Sequence, residues 1–157
     1  MLRHLLLAAQ VAAAFLLQGL PTGRQDKPYF LLSLAFALTG LLPWAVSMAY
    51  GAVCGALCDL SGCGSIGFFA LTAALVCAAA SYRLKNVWQN RFLTRSLLCA
   101  AAVVLTIGLY FLLFRAWQEN SVSLLPHYLW RMLLTWLAVL PFYGVNALLL
   151  RRHGQRA

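Results

Sequence analysis

The stretch Gly51-Ala-Val-Cys-Gly-Ala-Leu-Cys-Asp-Leu-Ser-Gly-Cys-Gly-Ser-Ile-Gly-Phe-Phe-Ala-Leu71 decides how the rest of the sequence is read. It holds Asp59, the acid with long apolar sequence on both sides, and five of the eleven glycines. Ser47, Gly51, Gly55 and Asp59 recur every fourth position, so a helix places them on one face. Small residues on one face let a second helix approach closely in lipid, where packing replaces the hydrophobic drive. The face ends in a carboxylate and a Ser61-Gly62-Cys63-Gly64 turn, and apolar sequence resumes at Ile66. The pattern predicts a membrane helix, a polar turn at the membrane surface and the start of a second helix.

Composition agrees with a membrane setting. The 157 residues are 63% hydrophobic and 10% charged, against roughly 25% charged in a soluble domain. The apolar residues fall in long blocks, so the fold class is all-α, a polytopic bundle. Twelve Lys and Arg stand against three Asp and Glu. Most of the basic residues flank apolar blocks, as in membrane proteins whose loops set orientation. No basic stripe with interleaved aromatics supports nucleic-acid binding.

Working outward, one transmembrane domain over 1–157 is expected, with spans at about 5–20, 29–42, 44–58, 65–82, 96–114 and 129–150. The first 19 residues resemble a secretory signal, but the chain stays apolar beyond them, which favours an uncleaved first span. Residues 29–58 are apolar for about 45 Å of helix, longer than the roughly 30 Å hydrocarbon core. Gly40-Leu41-Leu42-Pro43-Trp44 divides them into two helices. Residues 83–95 and 115–128 read as polar loops.

Charge does not choose between six spans and five. Six spans with the N-terminus inside place Arg3, Arg83, Lys85, Arg91, Arg95, Arg151, Arg152 and Arg156 in the cytoplasm, eight against four outside. Five spans with the N-terminus outside give nine against three. The length of 29–58 favours six. In both arrangements Asp59 is on the outer side, and Arg83, Lys85, Arg91 and Arg95 form a cytoplasmic basic loop.

The sequence shows no enzymatic machinery. The three acids are scattered in separate loops, and His4, His127 and His153 are far from them. Gly62-x-Gly64-x-x-Gly67 has the letters of a dinucleotide fingerprint but follows a membrane helix instead of a strand. Cys54, Cys58 and Cys63 lie near Asp59, yet without histidine or a Cys-x-x-Cys pair they read as small packing residues, not a metal site. No catalytic, cofactor or metal residue is assigned. The candidate residues are a helix-packing and turn motif of Gly51, Gly55, Asp59, Ser61, Gly62 and Gly67. For Asp59 two roles stand open: a structural one, capping the next helix or holding the turn, and a proton relay or partner contact. Asn146 reads as a hydrogen bond between helices.

The motif resembles that of the rod-shape-determining protein MreD family: Gly51 and Gly55, then Asp59-Leu60, Ser61-Gly62, Gly67 and Ala70-Leu71. Pro28 before the second span, Pro141 in the last span, the basic tail and the length fit the same pattern. The Cys-rich motif and the Leu41-Leu42-Pro43-Trp44 break depart from it. The resemblance implies a non-catalytic membrane scaffold of the cell-elongation machinery, without cofactor. It implies as partners an MreC-like protein, an MreB-like filament and a glycosyltransferase–transpeptidase pair. The alternative is a substrate-capture subunit of a vitamin transporter, with Tyr29, Trp44, Trp117 and Trp130 lining an outward pocket. A proton-coupled channel using Asp59 is a third reading.

Overall fold

The computed structural model describes residues 2–19, 28–39, 41–63, 67–86, 92–115 and 121–154. Among these residues there are six α-helices and no strand: α1 (Leu2–Gly19), α2 (Phe30–Leu38), α3 (Trp44–Cys58), α4 (Phe68–Asn86), α5 (Phe92–Tyr110) and α6 (Ser121–Gly154). Two of them end in a π turn, α3 through Asp59–Cys63 and α5 through Phe111–Arg115.

The bundle is organised around its shortest helix. The sequence of α2, Phe-Leu-Leu-Ser-Leu-Ala-Phe-Ala-Leu, is apolar on every side, and such a helix is stable only when enclosed. Every side chain from Leu31 to Thr39 is buried, and α2 packs against each of the other five helices. Its nine residues span about 13.5 Å, less than half the hydrocarbon core. The helix expected over 29–42 therefore stops early. Thr39 turns to extended backbone at φ −60°, ψ 134°, and Pro43 disfavours helical geometry at Leu42. The break falls where Pro43 predicts it, and α3 starts at Trp44 with Ser47 N–H donating to the Pro43 carbonyl at 2.9 Å.

Successive helices alternate in direction. Gln18 near the end of α1 meets Leu31 at the start of α2, while Leu7 packs with Leu38 and Leu42. Tyr110 at the end of α5 meets Tyr128 on α6, and Arg95 near the start of α5 meets Tyr143. The bundle thus has an Asp59 end and an Arg95 end. At the Asp59 end the core is aromatic: Phe69 lies 5.0 Å from Tyr110 between ring centroids, and Phe68, Phe111, Phe114 and Tyr128 complete the cluster. Each offset or tilted pair adds about 0.5–1.5 kcal/mol beyond burial.

The outside is as apolar as the inside. Leu16, Leu71, Leu97, Leu129 and Leu148 are all exposed, an arrangement that hydrocarbon, unlike water, solvates without cost. Trp44–Ser61, Thr94–Phe114 and Leu124–Leu149 are long and apolar enough to cross a membrane, and Leu5–Gly19 and Phe68–Leu84 are shorter apolar helices. The molecule is an all-α membrane bundle.

Several boundaries differ from the sequence reading. α6 begins at Ser121, inside the stretch 115–128 read as a loop, and runs 34 residues through Pro126 and Pro141. Pro126 lies near the helix start, where a missing N–H matters little. Pro141 lies mid-helix, where neighbouring helices and side chains re-satisfy the freed backbone. Asn146 does not bridge helices through its amide nitrogen. Its Nδ2 donates to the Phe142 carbonyl one turn back on the same helix, and its Oδ1 has no partner among the described residues.

Candidate functional site at the α3–α4 hairpin

α3 and α4 form the most extensive pairing in the bundle. Two glycines set their separation. A Cβ built on Gly55 would lie 2.2 Å from the Phe69 carbonyl oxygen and 2.6 Å from the Ala70 Cα. One on Gly51 would lie 2.8 Å from the Ala73 carbonyl oxygen and 3.1 Å from the Cys77 sulfur. Backbone thus meets backbone at Gly55, and only glycine leaves room for it. Ser47, one turn earlier, is also buried.

Asp59 follows Gly55 on the same face. Its Oδ1 accepts from the Phe69 N–H at 3.2 Å and its Oδ2 from the Ala70 N–H at 3.1 Å. These donors belong to the first turn of α4, which has no partner within its own helix. A carboxylate there satisfies two of them and faces the positive end of the helix dipole. The same short reach binds the ends of both helices: glycine brings the backbones together, and the acid one turn on spans the gap. Gly67 reverses the chain at φ +81°, a left-handed conformation open to glycine, and its carbonyl accepts the Leu71 N–H at 3.1 Å.

Ser61 and Gly62 lie in the π turn that extends α3, so the polar turn expected at Ser61–Gly64 starts inside a helical segment. Gly64 is outside the described residues. The Ser61 hydroxyl donates to the Cys58 carbonyl at 2.8 Å and accepts from Gln18 Nε2 at 2.8 Å. Gln18 Oε1 accepts the Leu31 N–H at 3.3 Å. One amide of α1 therefore fastens the π turn to the start of α2. Sequence reasoning gave Gln18 no role; the signal was an amide at the end of an apolar run. Thr135 was missed as well. Its hydroxyl accepts the Tyr29 N–H at 3.1 Å, and its carbonyl accepts from Ser33 Oγ at 2.8 Å, which pins α2 to α6.

The expected basic loop is not one unit. Arg83 and Lys85 belong to α4, which continues to Asn86 because nothing between 83 and 86 breaks a helix. Arg83 is exposed, the Lys85 side chain is not among those described, and Arg91 lies outside the described residues. Arg95 belongs to α5 and is 4% exposed, on the same stripe as Cys99, Ala102 and Thr106, with its guanidinium 4.7 Å over the Tyr143 ring.

The aromatics considered for a transporter pocket do not converge. Trp44 and Trp130 are exposed at opposite ends of the bundle, Tyr29 is buried beneath Arg131, and Trp117 is outside the described residues. Among the described residues no group of three or more His, Cys, Asp or Glu is placed to hold a metal. Cys54, Cys58, Cys77 and Cys99 are buried free thiols; the Cys63 side chain is not among those described.

Comparison with curated proteins and with solved structures gives no match. The family model "rod shape-determining protein MreD" matches residues 4–152, nearly the whole chain. The chain belongs to the MreD family of rod shape-determining membrane proteins.

Proposed function

We propose that the chain is a non-catalytic scaffold subunit of the cell-elongation machinery that directs side-wall peptidoglycan synthesis. The observation that carries the reading is the family match over residues 4–152. In this reading the chain is a single transmembrane domain. It assembles with an MreC-like protein, an MreB-like filament and a glycosyltransferase–transpeptidase pair. The α3–α4 hairpin is its rigid frame: Gly51 and Gly55 set the helix separation, and Asp59, Ser61, Gly62 and Gly67 fix the turn. Asp59 is engaged with backbone N–H groups of α4, which supports a structural role for the acid most available for chemistry. The decisive experiment is complementation. Cells depleted of their own family member should regain rod shape on expressing this chain, and an MreC-like protein should copurify with it. Round cells at normal protein levels would overturn the proposal.

Both termini are cytoplasmic in this proposal, since that places the eight basic residues of the Arg95 end inside. In a cysteine-free background, Arg3→Cys and Gln155→Cys should resist a membrane-impermeant maleimide in intact cells, while Arg24→Cys should react. Labelling at position 3 would replace the six-span orientation with its five-span alternative.

The purified chain alone should neither hydrolyse nor polymerise a lipid-linked cell-wall precursor, because its acids, histidines and hydroxyls form no grouped acid, base and nucleophile in sequence. Product formation above a no-protein control would refute the non-catalytic reading.

A further inference from the structure

The Arg95 end of the bundle carries only basic residues in sequence, whereas Asp26, Asp59 and Glu119 fall in the segments that join helices at the other end. Arg95 is buried in the bundle at this basic end, with Tyr143 covering a face of its guanidinium. Beside it, α5 and α6 part to leave a cleft of about 230 Å³ lined by Arg95, Ser96, Cys99, Val139, Leu140 and Tyr143. The exposed neighbours along the two helices, Leu97, Leu137 and Pro141, are apolar, so the cleft opens toward hydrocarbon.

A charged side chain inside a membrane protein is held there at a cost and marks a functional place by default. Guanidinium binds phosphate oxygens along its edge, in a planar fork that an ammonium group cannot match. A free, hydrated anion would have to cross the apolar rim to reach it. A phospholipid brings a phosphate and an acyl chain together, and the cleft offers a cation with an apolar wall directly beside it. The surrounding basic residues repel the ammonium of a zwitterionic headgroup and favour one of net negative charge. We propose that the α5–α6 cleft binds an anionic phospholipid of the leaflet on the Arg95 side, its phosphate on Arg95 and an acyl chain along Cys99, Val139 and Leu140. This inference does not depend on the scaffold role.

The test titrates the purified full chain in detergent with phosphatidylglycerol, with phosphatidylcholine of the same acyl chains, and with inorganic phosphate. Retention is read by native mass spectrometry and thermal stability. Phosphatidylglycerol should bind at least about fivefold more tightly than phosphatidylcholine. Arg95→Gln should abolish that preference, and Arg83→Gln, a change to an exposed residue of α4, should leave it intact. Ser96→Phe fills the cleft while keeping Arg95, so it should also abolish the preference, and it decides the matter if Arg95→Gln fails to give a monodisperse protein. A preference that survives Ser96→Phe would overturn the site. Equal stabilisation by inorganic phosphate would make it a site for soluble anions and overturn the lipid assignment.

Discussion

Gly55→Ala should remove most of the folded protein from the membrane, although it adds a single methyl group. At this position the new carbon would meet the Phe69 carbonyl oxygen at 2.2 Å and the Ala70 Cα at 2.6 Å. Both are backbone atoms of a helix held by its own hydrogen bonds, so neither yields as a flexible side chain does. Overpacking in cores costs about 1–3 kcal/mol, and a backbone clash of this depth belongs at or above the top of that range. Against a typical total stability of about 5–15 kcal/mol, that lowers the folded population by about two orders of magnitude or more. Gly51→Ala should cost less, since its nearest backbone atom is 2.8 Å away and its other neighbours belong to the Cys77 side chain. Gly144→Ala has nothing within 4 Å and replaces a poor helix former, so it should be neutral or stabilise by up to about 1 kcal/mol. Melting of the three purified variants, with their membrane levels, measures the order. If Gly55→Ala melts like wild type, the close approach of α3 and α4 is wrong. Normal stability with lost rod shape would move this face to a partner interface.

The small-residue face was legible because lipid removes the usual ambiguity. On a membrane helix, glycine four residues from glycine signals close approach, and Asp59 at the end of that face signals a polar boundary. The break at Pro43 was legible for a local reason, the effect of proline on the residue before it. The central position of α2 was not. A helix apolar on every side looks the same whether lipid or protein surrounds it, and only assembly decides. Arg95 was misread through its neighbours, since a cation near Arg83, Lys85 and Arg91 resembles part of a solvated loop. Its burial follows from helical phase with Cys99, Ala102 and Thr106, and that phase applies only once α5 is known to begin at Phe92. The π turns leave no trace in composition, because they change hydrogen-bond register and not residue type.

Asp59→Ala should destabilise the hairpin by about 2–3 kcal/mol, with Asp59→Asn falling between it and wild type. The carboxylate accepts two N–H donors, at 3.2 and 3.1 Å, from the first turn of α4. Hydrogen bonds to a charged group contribute about 1.5–3 kcal/mol, and loss of an N-capping side chain costs about 0.5–2 kcal/mol. Alanine removes both acceptors and leaves two donors at a helix start shielded from water by Phe69 and its aromatic neighbours. Asparagine keeps one acceptor oxygen but turns its amide hydrogens toward the other N–H, so one bond survives and a donor faces a donor. It also removes the charge that complements the dipole, a smaller loss of about 0.3–1 kcal/mol. The two variants therefore separate structure from charge. If the cap is the whole role of Asp59, melting temperature, membrane level and rod-shape complementation should fall together, in the order wild type, Asn, Ala. If the charge itself contacts a proton or a basic group on a partner, Asn and Ala should fail complementation alike, even where the Asn variant accumulates to normal levels. The cap also predicts where the damage appears. Hydrogen exchange should quicken first at the Phe69 and Ala70 amides, while the α2 amides, enclosed by five helices, stay protected until the bundle unfolds as a whole. Faster exchange in α2 at the same concentration of denaturant would show that the hairpin and the core are a single cooperative unit.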